Sequence, residues 1–234
     1  MSDPGVPGRT PGQTSGPPAP SSLLPEVARE IDQVAHFGSA PRVKKQLIEA
    51  GEALDAGEYE RAIAPLLEAK VKAPRSVYVR ELLGLAYHHL ERWKDAAREL
   101  AAYRRMSDRH NRDPEFADCE RALGRPEKAI EILADITAHE LDDEVLSEGL
   151  IVAAGALTDL GRHADAVEML ERGPLRPANA VEPFHLRLWY ALADALEGAG
   201  RRSDARAWWD ALYAEDPDFF DVARRRLGVK LDRR

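Results

Sequence analysis

Residues 82–100, LLGLAYHHLERWKDAAREL, contain the pattern that decides the fold. Apolar residues recur every three to four positions on both sides of a polar break at Glu91, which is typical of two amphipathic helices joined by a short turn. Ala96 follows the break by five residues, and Leu100 follows Ala96 by four. A small residue lets two helices cross closely, and the large residue fills the seam with the next element. The stretch therefore predicts a packed helix pair.

Four other stretches have the same arrangement, so the helix pair is a repeating unit. Their turns carry glycine where the first stretch has Glu91: Gly57, Gly124, Gly161 and Gly200. The five alanines lie 34, 33, 37 and 39 residues apart: Ala62, Ala96, Ala129, Ala166 and Ala205. The large residues are Leu66, Leu100, Leu133, Leu170 and Trp209. Glycine readily takes the left-handed conformation at which many helices end. One helix pair cannot bury its own apolar face, so the pairs must stack.

These features predict an all-α fold, a right-handed α-solenoid of about five helix-turn-helix repeats with a flanking helix at each end. The predicted repeats lie near residues 43–76, 77–109, 110–143, 147–180 and 186–219. The flanking helices are predicted over residues 25–36 and 218–228, and inter-repeat loops over 137–145 and 173–184. Pro65 lies inside the second helix of the first unit, so we expect that unit to be distorted or to form an N-terminal cap under the first flanking helix.

The domain organisation follows from a change in composition. Residues 1–22 are rich in Pro, Gly and Ser and have almost nothing to bury, which predicts a disordered tail. Residues 23–234 are predicted to form a single array of repeats. The chain has one cysteine, no apolar run long enough to span a membrane and no apolar segment of signal-peptide type near its start. We therefore expect a cytoplasmic protein that does not bind membranes.

The repeat unit resembles the tetratricopeptide repeat (TPR), and the likeness covers about residues 43–228. The second unit has the most matching residues: Leu83, Gly84, Tyr87, Trp93, Ala96 and Leu100. The first and fifth units also match well, whereas Pro126 replaces the usual aromatic residue in the third. The chain is similar in particular to small TPR proteins of GC-rich bacteria, in keeping with its excess of arginine over lysine.

The resemblance implies a non-catalytic protein-interaction module or scaffold that binds a peptide segment of a partner protein in a concave groove. The first helix of each unit would line that groove. The groove positions transferred from the family are Lys44, Tyr78, Glu81, Leu85, His88, His89, Asp118, Arg121, Ile151, Gly155, Thr158, Arg187, Tyr190 and Asp194. Leu47 and Gly51 also fall on this surface, where chaperone-binding members carry a lysine and an asparagine, so their carboxylate clamp is not expected. The same positions are compatible with a solvated face that binds nothing.

No motif indicates catalysis. The sequence contains no phosphate-binding loop, dinucleotide fingerprint or nucleophile elbow. His88 and His89 are adjacent on a helix and point about 100° apart, so together they can hardly hold one ion. The segment HELDD, residues 139–143, begins like a zinc-protease motif but lacks the second histidine. We expect no enzymatic activity, no metal and no cofactor.

An arginine-rich stretch leaves a second function open. It comprises Arg104, Arg105, Arg109 and Arg112, a candidate basic patch for RNA or a nucleoprotein. The formal net charge of −8 argues against general nucleic-acid affinity, because phosphate binding needs a basic surface. Steep salt dependence would distinguish such binding from an apolar groove. Self-association through the ends of the solenoid is a third alternative.

Overall fold

The computed structural model describes residues 23–228, so the predicted tail 1–22 and the last residues of the chain, 229–234, lie outside the described part. Within residues 23–228 there are twelve α-helices, one short 3₁₀ turn and no strand, which confirms the all-α prediction. This part of the chain divides into two compact units, residues 23–135 and 136–228, called here the N-terminal unit and the C-terminal unit. That residues 23–234 form a single array stays a prediction.

The N-terminal unit contains a leading helix and three helix pairs. Its helices are α1 (Pro25–Val34), α2 (Ala40–Asp55), α3 (Tyr59–Lys72), α4 (Val77–His89), α5 (Trp93–Ser107), α6 (Asp113–Ala122) and α7 (Pro126–Leu133). The C-terminal unit contains two helix pairs and a short final helix. Its elements are the 3₁₀ turn Ile136–Ala138, α8 (Asp143–Asp159), α9 (His163–Leu170), α10 (Pro183–Gly198), α11 (Arg202–Glu215) and α12 (Val222–Arg226).

The core of every pair is built from the residues that the sequence pattern selects. All five repeat alanines are completely buried, and so are the large residues that follow them, with at most 1% of their surface exposed. Gly84 shows how close the helices come, because a Cβ added there would lie 2.6 Å from Leu100 Cγ. The predicted register of the helix pairs is therefore confirmed.

One backbone turn joins the two helices of each pair. The residue at the turn position has a positive φ, from 73° to 78° at the four glycines and 56° at Glu91. The next N–H then donates to a carbonyl five residues back, as from Arg92 to Tyr87 at 2.9 Å and from Arg201 to Leu196 at 2.8 Å. This is the Schellman motif, which satisfies carbonyls at a helix end. Glu91 thus takes the glycine conformation in the second pair.

The leading helix caps the first pair. Glu30 accepts hydrogen bonds from the Ser76 hydroxyl at 2.9 Å and from the Val77 N–H at 2.8 Å, at the start of α4. Lys44 on α2 forms an ion pair with Asp32 at 2.7 Å. α3 runs through Pro65 without a break, so the proline does not interrupt the helix. Of the two expected alternatives, the contacts of α1 favour the N-terminal cap.

Both flanking helices are shorter than predicted. α1 ends at Val34 instead of residue 36, because the backbone at Ala35 is already extended. The closing helix, predicted over residues 218–228, is confined to Val222–Arg226. Phe220 has φ 47°, outside the right-handed helical region, so residues 217–221 form turns. The loop predicted over residues 137–145 is shorter than expected, because α8 already begins at Asp143. The Asp142 side chain caps this helix by accepting from the Val145 N–H at 2.9 Å.

Candidate functional site

A cleft lies in the N-terminal unit where α1, α2 and α4 meet. Its volume is about 180 Å³. The cleft is lined by Leu23, Leu24, Val27, Leu47, Ile48, Gly51, Glu52, Asp55, Tyr78 and Leu82. The lining is mainly apolar, and its upper edge is accessible to solvent because Leu24 remains 55% exposed. This is the apolar surface of the first two helix pairs on which a ligand has room to bind.

Helix spacing explains how the sequence forms this cleft. Leu47 and Gly51 are four residues apart on α2, and Tyr78 and Leu82 are four apart on α4, so each pair lies on one helix face. Gly51 lacks a side chain, and a Cβ added there would meet no atom within 4 Å. The cleft therefore exists partly because position 51 leaves space unfilled.

The charges at the cleft have one sign. Glu52 and Asp55 are the charged residues of the lining, and both are exposed. Neither carboxylate forms a hydrogen bond or ion pair with any residue in 23–228. Arg109 lies beside Tyr78, with its guanidinium carbon 5.8 Å from the centre of the ring. Hydrogen bonds with Tyr78 and Tyr103 raise the pKa of Arg109. That guanidinium is engaged by the two phenols and does not line the cleft.

Of the fourteen predicted groove residues, Tyr78 alone lines the cleft. Lys44 is engaged by Asp32, and Glu81 accepts from Arg112 at 2.8 Å. Leu85 and Arg121 are half-buried on α4 and α6. The family resemblance also places Leu47 and Gly51 on the groove surface, and both of these residues line the cleft.

The histidine pair makes packing contacts within the N-terminal unit. His88 is buried, its Nε2 lies 3.0 Å from Asp118 Oδ2, and its ring meets Trp93 edge-on. The ring of His89 stacks on Tyr59 with 4.2 Å between centroids and 5° between planes. Asp118 is thus also occupied. The contacts of both histidines and of Asp118, a predicted groove residue, are therefore accounted for by packing between helices.

Most of the candidate basic patch is engaged within the chain. Arg104 lies 3.3 Å from Asp113, and Arg112 contacts Glu81 at 2.8 Å and Glu115 at 3.2 Å. Arg109 is held by the two tyrosines described above, and Arg105 is exposed. The role in RNA or nucleoprotein binding stays a prediction, and these contacts give it no support.

In the C-terminal unit, the chain itself covers the predicted groove residues of α10. Residues 216–226, called here the closing segment, pack against this helix. The Tyr190 hydroxyl donates to Asp221 at 2.6 Å, and its ring contacts Phe220 with centroids 5.3 Å apart. Arg225 forms ion pairs with Asp194 and, at 3.0 Å, with Glu197. Burial and the Asp221 carboxylate raise the pKa of Tyr190.

The remaining predicted groove residues of this unit lie on α8 and α10. Ile151, Gly155 and Thr158 are half-buried on α8. Arg187 on α10 forms an ion pair with Glu144 at 3.2 Å.

The described residues contain little that suggests other chemistry. In 23–228 no three His, Cys, Asp or Glu side chains are grouped so as to hold a metal ion. Burial raises the pKa of the Cys119 thiol, which therefore remains protonated and unreactive. None of the described helices has the length and apolar content needed to cross a bilayer.

Sequence reasoning missed most of the lining. Ile48, Glu52, Asp55 and Leu82 lie on the expected helices, but one position around from those transferred from the family. The contribution of α1 was also missed, although LLPEV at 23–27 places apolar residues immediately before and inside a helix that must pack somewhere. That signal identifies an apolar helix face without identifying the helices it meets.

No family model and no curated protein matches this sequence. Several solved structures share its fold. A kinesin-light-chain-like protein of nearly identical TPR-like repeats from Podosopora anserina, in a single-substitution variant, is 20% identical, with 83% of this chain and 100% of that chain covered and a TM-score of 0.62. The MamA protein is 16% identical, with 83% and 99% covered and a TM-score of 0.60. At these identities the likeness establishes the fold, which is that of tetratricopeptide-repeat proteins.

Proposed function

We propose that this protein is a non-catalytic interaction module or scaffold that binds a peptide segment of a partner protein in the cleft between α1, α2 and α4. The observation that carries the proposal is an apolar, solvent-accessible cleft whose lining includes the half-buried side chains of Tyr78 and Leu82. Apolar anchors set among polar edges are typical of peptide recognition. The family resemblance implies the same class of activity.

The build of the site suits binding rather than reaction. Its walls are helices held by complete burial of the repeat alanines, so the anchoring side chains stand on rigid elements. Its polar groups are two carboxylates and a phenol, and both carboxylates are exposed to solvent instead of lying in a water-excluded pocket. A pre-formed apolar surface lowers the entropic cost of binding, since the protein need not be ordered by its partner.

Selection from a peptide-display library tests this function. We expect the full chain to select peptides and the double variant Tyr78→Ala/Leu82→Ala to bind them at least about tenfold more weakly, because two apolar anchors are removed. Leu67→Ala/Val71→Ala is the matched control, since both side chains are exposed apolar residues of α3 that do not line the cleft.

The control variant should bind like the parent protein, and circular dichroism should show both variants folded. Selection of no peptide above background would reject the proposed function. Equal binding by the parent and the cleft variant would reject the cleft as the site.

A further inference from the structure

We infer that the segment bound in this cleft carries a lysine or arginine next to a single large apolar side chain. The inference rests on the proposed function and names the chemistry of the partner at that site. It follows from the size of the cleft, from the sign of its charges and from the way in which the chain itself pairs two acids of its C-terminal unit with an arginine and aromatic side chains.

The size of the cleft limits the apolar part of the ligand. An apolar cavity of about 150 Å³ accommodates benzene. At about 180 Å³ the present cleft holds one phenyl or branched aliphatic side chain, and the rest of the peptide must lie over its edge. The residues at the edge of the cleft therefore determine which neighbouring side chains of the peptide are preferred.

The edge presents negative charge without a counterion. Two buried carboxylates of the N-terminal unit have cations beside them: Glu99 contacts Lys70 at 2.7 Å and Arg80 at 2.6 Å, and Glu120 contacts Lys128 at 2.7 Å. Glu52 and Asp55 contact no cation among residues 23–228, and the lining contains no basic residue. Two unpaired carboxylates of equal sign repel an acidic peptide and attract a basic one.

The C-terminal unit contains a similar pairing of acids with a basic side chain within the chain. There, α10 carries Asp194 and Glu197 three residues apart. Glu52 and Asp55 on α2 have the same spacing, but they lie one position nearer to the turn glycine of their pair. Arg225 of the closing segment pairs with both carboxylates and lies over Trp209, at 4.9 Å from the ring centre. Phe219 and Phe220 supply the accompanying apolar contact with Tyr190. Two phenylalanines and an arginine of the closing segment thus contact the helix face that carries these two acids.

Two occupants from this chain compete with an external partner. Residues 1–22 lead directly to Leu23 at the cleft, but they contain one arginine, no lysine and no aromatic residue. A second copy of the protein carries a net charge of −8, which disfavours its approach to an acidic edge. We therefore assign the cleft to a basic and apolar segment of another protein.

Fluorescence anisotropy with a defined set of capped decapeptides tests the inference on the full chain. Each peptide carries one Leu or Phe together with two Arg, two Gln or two Glu, and a synthetic peptide of residues 1–22 is included. We expect the Arg peptides to bind about tenfold more tightly than the Glu peptides at low salt, as two new ion pairs would give. Glu52→Gln/Asp55→Asn should reduce that ratio to below about threefold.

Two further variants make the result specific. Glu131→Gln/Glu168→Gln removes the same charge from exposed helix positions that do not line the cleft and should leave the ratio unchanged. Gly51→Leu fills the cleft and should abolish binding of the Leu and Phe peptides. Equal binding of Arg and Glu peptides, or an equal effect of the two charge variants, would overturn the inference while leaving the proposed function in place.

The remaining outcomes are equally informative. If the 1–22 peptide bound more tightly than the Arg peptides, the cleft would belong to the chain's own N-terminus. If sedimentation showed an oligomer that the Gly51→Leu substitution dissociates, the cleft would be the binding site for a second copy of the protein. Either result overturns the inference. Failure of every peptide, whatever its charge, would instead contradict the proposed function itself.

Discussion

The first helix of the first pair and the first helix of the fifth pair differ in what contacts their equivalent positions. Ten and six residues before its turn glycine, α2 carries Leu47 and Gly51, which line a solvent-accessible cleft. At the same positions α10 carries Tyr190 and Asp194, both of which bind side chains of the closing segment. The repeat frame thus creates one kind of surface in both units, and the rest of the chain determines whether that surface stays available.

This contrast distinguishes a residue that has a groove position in the repeat from a residue that a ligand can reach. Tyr190 lies on the helix that family resemblance assigns to the groove, yet its hydroxyl and ring already have partners within the chain. Tyr78 is half-buried and has one side toward the cleft. A position in the repeat therefore gives the orientation of a side chain, whereas neighbouring segments decide whether a ligand can reach it.

The same substitution on the two surfaces should produce the largest difference. Tyr190→Ala removes a ring packed against Trp209 and Phe220 and leaves Asp221 without its donor, so we expect a loss of roughly 3–4 kcal/mol in the free energy of unfolding. Tyr78→Ala should cost only about 1 kcal/mol, because part of that ring faces the cleft. Urea unfolding followed by circular dichroism measures both.

Tyr190→Phe serves as the control, since it keeps the ring and removes only the hydroxyl, and it should cost about 1 kcal/mol. Equal losses for the two alanine variants would mean that the closing segment contributes nothing to stability and that α10 is as open as α2.

The fold was predictable because its signal is repeated five times. The spacing from turn to alanine to large residue identified every helix pair, and the structure buries all ten of those residues. The ends were not predictable to the same degree. The closing helix is limited to five residues because Phe220 adopts a positive φ. A positive φ is uncommon for phenylalanine, so the sequence does not predict it.

The carboxylates of the N-terminal unit provide the next test, because Glu99 is buried among cations and Glu52 is exposed without one. Glu99→Gln should cost roughly 2–3 kcal/mol at neutral pH, since Lys70 and Arg80 lose a buried ionic partner. Glu52→Gln should change stability by less than about 0.5 kcal/mol. Unfolding in urea at pH 7 compares the two variants, and a similar cost for both would show that Glu52 has a structural role.

The pH dependence of the Glu99 effect has a definite sign. Burial alone would raise the pKa of Glu99, but hydrogen bonds from Lys70 and Arg80 outweigh burial and hold the pKa below its ordinary value of 4.5. The ionised form is therefore favoured in the folded state, and its stabilising effect is complete above about pH 4.5 and lost as the pH falls through the lowered pKa. The difference between parent and Glu99→Gln should shrink as the pH falls from 7 to 3.5. A constant difference would mean that the loss arises from packing.

The candidate site was only partly predictable, for a geometric reason. Family positions place Leu47, Gly51 and Tyr78 on the right surface, but the cleft also needs α1, which lies outside the repeats. Nor does repeat position show that Asp118 is used by His88 or that Asp194 is used by Arg225. Such pairings depend on side chains from other helices, which no single-repeat pattern contains.

The smallest predicted effects come from two helix glycines, and they differ in sign. Gly51→Ala adds a methyl group to open space in the cleft and should stabilise the protein by roughly 0.5–1 kcal/mol, because alanine loses less backbone entropy in a helix. Gly84→Ala would place a methyl group 2.6 Å from Leu100 Cγ, so overpacking should outweigh that gain and cost roughly 1–2 kcal/mol. Urea midpoints of the two variants should therefore move in opposite directions. A loss of stability in Gly51→Ala would show that the space beside α2 is occupied in the protein alone, and the contrast between an open first pair and a covered fifth pair would then fail.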